Sequence, residues 1–465
     1  MDSKPDTFYA ATAAPRAARP RLTLDVDTGV CVVGGGLAGL WIARALVKRG
    51  QDVVVLEAGR IGGGASGRSG GFCSAGFAQE LGAIVARVGY HHARALYQLS
   101  REGVDHVRAL IAEGSPGLDP VAGRLSVLRR DDESGIKRAA DDLAEYFDHV
   151  MVVWPTERVR ATLKTERYYQ ALHDADALSV NPLNLALALA AEVESGGGRI
   201  YEESAGVAAD LDGVRKWVAT GGARVRAHQI VFCGNAAIGP AFPELSRCIL
   251  PVATHIGVTA PLGDKLKEAI GYSGGISDTR RAFDYYRIVG DRLLWGGSMT
   301  TRLQRPRRLE RSFAREILRI YPQLEGVSVE YAWTGVMGYA VHRMPQIGML
   351  RPGVWIASAF GGQGINTTAM AGDLISSAIA ENDDRWRLFI PFGLVWAGGA
   401  LGRAAARVIY WSAAVRDWID EKRAKRNERR RKEAADRAAE QARIERLSPA
   451  KSVETGAAAA EARKE

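Results

Sequence analysis

Cysteine is scarce. Cys31, Cys73, Cys233 and Cys248 are the four in 465 residues, and no two stand in a CxxC spacing. That pattern offers no zinc site and reads as reduced thiols in a reducing compartment. Nor is any Ser/His/Asp or Cys/His arrangement for nucleophilic catalysis discernible. Uncharged runs are short as well: Leu388 to Gly402 holds 15 residues, too few for a confident membrane span, and Pro391 with three internal glycines weighs against a helix there. The first 24 residues place Pro5, Pro15 and Pro20 among alanines and arginines without the apolar centre of a signal peptide. Asp2 and Asp6 weigh against a mitochondrial presequence. An extended arm over the body of a cytoplasmic protein is the expectation for residues 1–24.

What is present is ordinary in bulk and pointed in detail. Hydrophobic content of 47% and charged content of 25% suit a soluble globular protein long enough for two domains with large cores. The chain is organised around Val30 to Gly71. An apolar run, Val30 to Val33, ends in Gly34-Gly35-Gly36-Leu37-Ala38-Gly39. A helical segment, Leu40 to Arg49, follows, then a second buried strand, Asp52 to Glu57. Gly34 permits the tight turn, Gly36 lets the backbone approach a pyrophosphate, and Gly39 lets helix and strand pack closely. The helix start supplies free N–H groups to the phosphates, and Glu57 suits ribose hydroxyls. Gly62 to Gly71 comes directly after, too glycine-rich for a helix or strand interior. It reads as a loop wrapping a cofactor that extends past the first phosphate, with Ser66 and Arg68 suited to the pyrophosphate, and FAD fits better than NAD. A third glycine unit, Gly361-Gly362-Gln363-Gly364, lies between a strand, Val354 to Phe360, and a helix, Ile365 to Ala380. That aims a second helix N-terminus at the cofactor.

With these motifs in view the chain resembles the FAD-dependent D-amino-acid oxidase/glycine oxidase/sarcosine oxidase superfamily. Within it the likeness is to bacterial gamma-glutamylputrescine oxidoreductases, carried by Phe8-Tyr9-Ala10-Ala11-Thr12 and Gly67-Arg68-Ser69-Gly70-Gly71. The resemblance covers about residues 7 to 380. It implies a Rossmann-like α/β domain for FAD and a discontinuous substrate domain of α+β type on an antiparallel sheet, with a helical C-terminal tail beyond. The FAD contacts it implies are Gly34, Gly36, Leu37, Ala38, Gly39, Glu57, Ala58, Arg60, Ala65, Ser66, Arg68, Ser69, Gly70, Gly71, Val207, Gly234, Gly361, Gly362, Gln363, Gly364 and Ile365. The activity it implies is oxidation of an amine C–N bond by hydride transfer to flavin, with the imine then hydrolysed.

Departures from the family pattern narrow this. Met337 stands where glycine-oxidase-like members clamp a carboxylate with Arg, so an α-amino acid would lose its anchor. The oxygen-directed Lys of sarcosine oxidases falls at about Leu294 and the flavin-linking Cys at about Gly335, so the FAD is expected to be non-covalent, and the acceptor is O2 or a quinone. Gln363 replaces a usual His and cannot carry a proton. Tyr285, Tyr286 and Trp295 alternate on strands that face the flavin in the family; Tyr286 with Gln363 is the catalytic assignment, although Tyr286 cannot share a face with both others. Phe72 and Cys73 should lie near the ring, and His342 and Arg343 suit either an anionic substrate tail or a solvent-exposed turn. The substrate is a small amine, a gamma-glutamylated one or a polyamine derivative. A quinone-linked dehydrogenase at the membrane and a binding protein with structural FAD are the alternatives.

The rest divides as follows: residues 25–78, 170–245 and 345–384 in the FAD domain, 79–169 and 246–344 in the substrate domain, 385–447 in an amphipathic and basic tail, and 448–465 disordered. Helices are expected over Leu81 to Leu99, Gly103 to Glu113, Ile136 to Phe147 and Leu183 to Glu194, strands over Arg124 to Leu128, Arg224 to Arg226, Gln229 to Cys233, Pro251 to Pro261 and Phe283 to Met299, and a turn over Gly271 to Ser277. In the tail, Val408, Trp411, Val415 and Trp418 recur at heptad-like spacing, and Glu421 to Leu447 carries 11 Lys/Arg against 6 Asp/Glu, net +5 of the chain's +9. A solvated charged helix, an anchor on an anionic membrane surface and a nucleic-acid contact compete there, nucleic acid last. An oligomer is left open.

Overall fold

The computed structural model of the chain describes residues 6–14, 17–280 and 284–447. The terminal segment 448–465, expected to be disordered, lies outside the described residues. The Val30 to Val33 run sits in a strand, Val26–Val33, paired in parallel with Arg224–Phe232 on one side and Val53–Leu56 on the other. Val354–Ser358 and Arg199–Tyr201 extend the sheet in parallel, and Gln346–Arg351 closes one edge antiparallel. Its central strands are apolar throughout because both faces are covered. Val30, Val32, Val53 and Val55 meet the helices Leu37–Lys48, Pro182–Ser195 and Gly364–Glu381, whereas Cys31, Val33, Val54 and Leu56 meet Val218, Phe242 and Leu245 on the other face. Cys31 is thus a core residue, as its apolar setting suggests. Arg224 to Arg226 and Gln229 to Cys233, expected as two strands, form one.

The second sheet runs in the order Val329–Tyr339, Leu250–Thr259, Arg292–Thr300, Tyr285–Val289, Gly275–Asp278, Val121–Val127, Ala171–Ser179 and Phe72–Cys73. It is antiparallel apart from the pairing of Gly275–Asp278 with Val121–Val127. The expected turn at Gly271 to Ser277 therefore ends in a strand held on both sides. The strand begins with glycine because a Cβ on Gly275 would lie 2.4 Å from the Phe72 ring. Phe313, Ile317 and Ile320 of the helix Leu309–Ile320 cover the outer face against Tyr286 and Trp295.

Two strands and two helices change sides relative to the sequence reading. Phe72–Cys73 and Ala171–Ser179 join the second sheet rather than the first. The helices Leu81–Val88 and Tyr90–Ala112 pack in the core of the first sheet; Gly103 there comes so close to the Gly364–Glu381 helix that a Cβ would lie 2.2 Å from the Asn366 carbonyl oxygen. The N-terminal arm is not extended throughout. Phe8–Thr12 is a short helix capped by Thr7, whose Oγ1 accepts from the Ala10 N–H at 3.0 Å. Beyond it, Arg19 donates to Glu194 at 2.7 and 2.8 Å and the Leu22 N–H to Ser204 Oγ at 2.9 Å, fixing the arm on the body.

The chain forms two compact units, residues 1–414 and 415–465. The tail consequently begins later than residue 385. Phe389 and Phe392 of the 3-10 helix Arg385–Phe392 are buried in the first sheet's core, and the Ala397 N–H donates to the Arg247 carbonyl at 2.9 Å. A helix runs from Gly399 to Leu447. Trp411 and Trp418 are 68% and 57% exposed on it. Among the described residues no helix is long and apolar enough to cross a membrane.

Candidate active site

The glycine turn, the wrap loop and the last glycine unit open on one cavity of about 350 Å³, with the second sheet as its opposite wall. Gly34 turns the chain at a φ of +116°, and a Cβ there would sit 2.8 Å from the Cys233 backbone. Gly39 lets the helix start against the strand; its Cβ would lie 2.0 Å from the Gly34 oxygen. The turn is secured from outside the cavity. Glu57 accepts from the Gly35 N–H at 2.8 Å and the Gly59 N–H at 2.9 Å, while burial pushes its carboxyl up. Ser66 Oγ accepts from the Leu37 N–H at 2.9 Å, tying wrap loop to helix start.

Of the residues expected at the cofactor, Gly36, Leu37, Ala38, Ala65, Ser66, Arg68, Ser69, Gly70, Gly71 and Gly361 to Ile365 line the cavity. Gly34, Gly39, Glu57 and Gly234 lie behind this wall rather than in it, Gly234 between the lining residues Cys233 and Asn235. Ala58 and Arg60 are exposed outside it. Val207, 45% exposed, also stands apart, its N–H donated to the Ala219 oxygen at 2.8 Å. Strand geometry corrects the aromatic assignment. Tyr286 faces the opposite way, stacked on Trp295 at 4.3 Å with its hydroxyl 2.8 Å from Tyr321 and 3.2 Å from Tyr168, deep in the second core. Its neighbour Tyr285 lines the cavity, edge-on to Phe72 at 5.5 Å, and burial pushes its phenol up to about 12. That phenol stays protonated at neutral pH and so can donate a hydrogen bond. Phe72 lines the cavity, but Cys73 beside it points into the core, its thiol pushed up by burial. Leu294 is buried in a cluster with Tyr9, Ile256 and Trp333, away from the cavity. Met337, Gly335 and Arg343 do line it, whereas His342 is buried with its Nε2 3.2 Å from the Gly393 oxygen.

Sequence reasoning missed Arg287, which is buried. It donates to the Gly70 oxygen at 2.8 Å, the Val180 oxygen at 2.9 Å and the Tyr9 hydroxyl at 3.2 Å, and so holds the wrap loop. It shares a strand face with Tyr285, so the two-residue period that separates Tyr285 from Tyr286 was the available signal.

These residues fit FAD. Two helices, Leu37–Lys48 and Gly364–Glu381, begin at the cavity with no capping side chain on the Gly36 or Gln363 position and no acid in their first turns. Beyond the Leu37 N–H that Ser66 holds, their first-turn N–H groups and positive ends suit a pyrophosphate and a ring that gains negative charge on reduction.

Known proteins agree with that fit. Residues 29–378 match the model of the DAO family, FAD-dependent oxidoreductases. The chain is 32% identical over 393 residues to the gamma-glutamylputrescine oxidoreductase of Escherichia coli, covering 84% of this chain and 92% of that protein. It is 30% identical over 385 residues to a probable oxidoreductase, OrdL, of Haemophilus influenzae, covering 80% and 87%. In fold it is similar to glycine oxidase from Geobacillus kaustophilus, with a TM-score of 0.66 at 21% identity over 80% of this chain and 99% of that one. The chain belongs to the DAO family and is an FAD-dependent oxidoreductase.

Proposed function

We propose that this enzyme oxidises the C–N bond of an amine, a gamma-glutamylated amine or polyamine derivative, giving an imine that water hydrolyses. The observation that carries the reading is the composition of the cavity wall. Phe72, Tyr285, Met299, Met337, Tyr339 and Phe360 surround the space, and the acid among the lining residues, Asp278, is bound to Arg280 at 2.7 Å. A wall that combines these apolar groups with arginines and has no free carboxylate disfavours the ammonium form and keeps the amine neutral, with its lone pair available. FAD, when bound, supplies the two-electron acceptor. Tyr285 orients substrate as a protonated donor; Gln363, at the start of the Gly364–Glu381 helix, offers one hydrogen bond but no proton relay. With Met337 at the wall, a small α-amino acid finds no bidentate partner at that point. The relative named for gamma-glutamylputrescine supports the substrate class.

Anaerobic reduction of the bound flavin by a panel of amines tests this. Glycine and D-alanine should bleach it at least about tenfold less effectively than polyamine derivatives, the loss of one charge-assisted pair. Rapid bleaching by glycine overturns the reading. Gly335, at the position of the linking Cys, supports non-covalent FAD, so acid precipitation should leave the colour in the supernatant; a yellow pellet says otherwise. Peroxide formed in air, against reduction of an added quinone, separates oxidase from dehydrogenase.

The exposed face of the tail favours a second layer to this reading, a peripheral hold on an anionic membrane. Val408, Trp411 and Trp418 are exposed, and a net +5 follows over Glu421 to Leu447. Each cation near such a surface contributes about 1 kcal/mol. Because Phe389 and Phe392 belong to the core, the informative truncation is after Ala414, not after Asp384. Full-length protein should sediment with anionic vesicles at low salt and much less at high salt, and the truncated protein should remain soluble with its FAD. Full-length protein that ignores the vesicles sinks the anchor.

A further inference from the structure

Three arginines and one aspartate line the cavity, and they differ in what they hold. Arg68 pairs with Asp6 at 3.2 Å, Asp278 with Arg280, and Arg343 is exposed to solvent. Arg124 is different. Its partners are hydroxyls: Nη1 donates to Ser74 Oγ at 2.7 Å, and Nη2 and Nε donate to Ser277 Oγ at 2.9 and 3.3 Å. Among the described residues no carboxylate lies within ion-pair distance of it. Asp174 attracts it only from further away, its Oδ1 engaged by His149 at 3.2 Å and by the Asp176 and Ala177 N–H groups at 3.0 and 3.2 Å. Burial lowers the Arg124 pKa, the mark of a cation short of solvent. Two hydroxyls fix its orientation yet supply no charge. The guanidinium has five N–H groups, and these contacts occupy one each on Nε, Nη1 and Nη2. One N–H on Nη1 and one on Nη2 remain for an anion, and a carboxylate is the group that two such donors hold best.

We propose that Arg124 anchors a carboxylate borne by the amine substrate at a distance from the bond that is oxidised. The proposal rests on the amine-oxidising reading and narrows its substrate to amines that carry a separate anionic group. The strand of Arg124 stands five places along the sheet from that of Met337, so this is not the carboxylate an α-amino acid would present at Met337. Asp278 does not compete for Arg124, because its oxygens accept from Arg280 and from the Arg280 and Asp284 N–H groups.

The test uses amides that the enzyme cannot oxidise, so its outcome does not depend on turnover. The FAD-loaded full chain is titrated calorimetrically with N-butylglutaramic acid, which has no amine to oxidise, and with N-butylpentanamide, which differs from it in having a methyl group in place of the carboxylate. The wild type should bind the first at least about tenfold tighter, the scale of a charge-assisted fork. Arg124→Gln should erase that advantage and Arg124→Lys keep only part of it, since an ammonium supplies charge without the planar fork. FAD content and the flavin spectrum should be unchanged in both. Equal binding of the two amides by the wild type, binding of neither, or an advantage that survives Arg124→Gln overturns the proposal. So does loss of FAD from Arg124→Gln, which would put Arg124 in the cofactor's cradle. If Arg124→Gln fails to fold, Arg124→Lys decides, and an undiminished advantage there is fatal. Failure of amine oxidation itself is read separately, as a flavin that no amine in the panel bleaches.

Discussion

A Gly36→Val variant should purify folded and nearly colourless. A Cβ on Gly36 would sit 2.9 Å from Ser66 Oγ, the end of a side chain that can rotate away, so the turn survives. The branched methyl groups would stand on the cavity wall at the start of the Leu37–Lys48 helix, where the backbone must come within hydrogen-bonding reach of a pyrophosphate. Losing even one charge-assisted N–H contact there costs about 1.5–3 kcal/mol, so FAD affinity should fall about tenfold to a hundredfold or more. Gly39→Val provides the contrast. Its Cβ meets backbone, the Gly34 oxygen at 2.0 Å, and that variant should fail to fold rather than merely lose cofactor. The ratio of flavin to protein absorbance, read beside circular dichroism, separates the two. A yellow, fully loaded Gly36→Val protein would show that the phosphates lie elsewhere.

Arg287→Met should be the most damaging single change outside the glycine turn. The guanidinium is buried and serves two carbonyls, Gly70 and Val180, from adjoining segments. Methionine fills similar space but leaves both carbonyls buried without donors, at about 1–3 kcal/mol each. The total, about 2–6 kcal/mol, is a large part of a typical domain's stability. Because Gly70 belongs to the wrap loop, FAD should be released at a lower temperature than in the wild type and before global unfolding. Thermal melts followed by flavin fluorescence and by circular dichroism check this. Coincident, unshifted transitions would mean that the loop is held by other contacts.

Much of the cofactor side was legible from residue order, because its signals are local. A strand, a glycine turn, a helix and an acid lie within Val26 to Glu57, and each constrains the next. The opposite wall was less legible, for reasons of phase and distance. Alternation along a strand says that Tyr285 and Tyr286 face opposite ways but not which faces the cavity. That choice is made by Trp295, Tyr168 and Tyr321, which gather Tyr286 into the outer core. The strand Gly275–Asp278 reads as a turn because its small first residue answers a crowding ring, Phe72, two hundred positions earlier in the chain. Arg124 carries no local signal at all; its meaning comes from the two serines and from the carboxylate it lacks. In the tail, Phe389 and Phe392 look like part of an anchor only while their burial against the first sheet is unknown.

The first sheet is assembled from distant parts of the chain: Val26–Val33 and Val53–Leu56 near one end, Arg224–Phe232 in the middle, Val354–Ser358 near the other. During synthesis the glycine turn therefore leaves the ribosome some three hundred residues before the Gly364–Glu381 helix that completes the same cavity. Until then Ile230 to Phe232 keep an unpaired edge beyond the stretch that Lys216–Ala219 covers, and the apolar face that Gly364–Glu381 covers is open to water. Cofactor capture is thus a late event that reports the arrival of nearly the whole body. A chain interrupted before that point presents a sticky sheet edge and no finished binding site, which makes truncated products of this protein targets for chaperones and proteases rather than partly active enzymes.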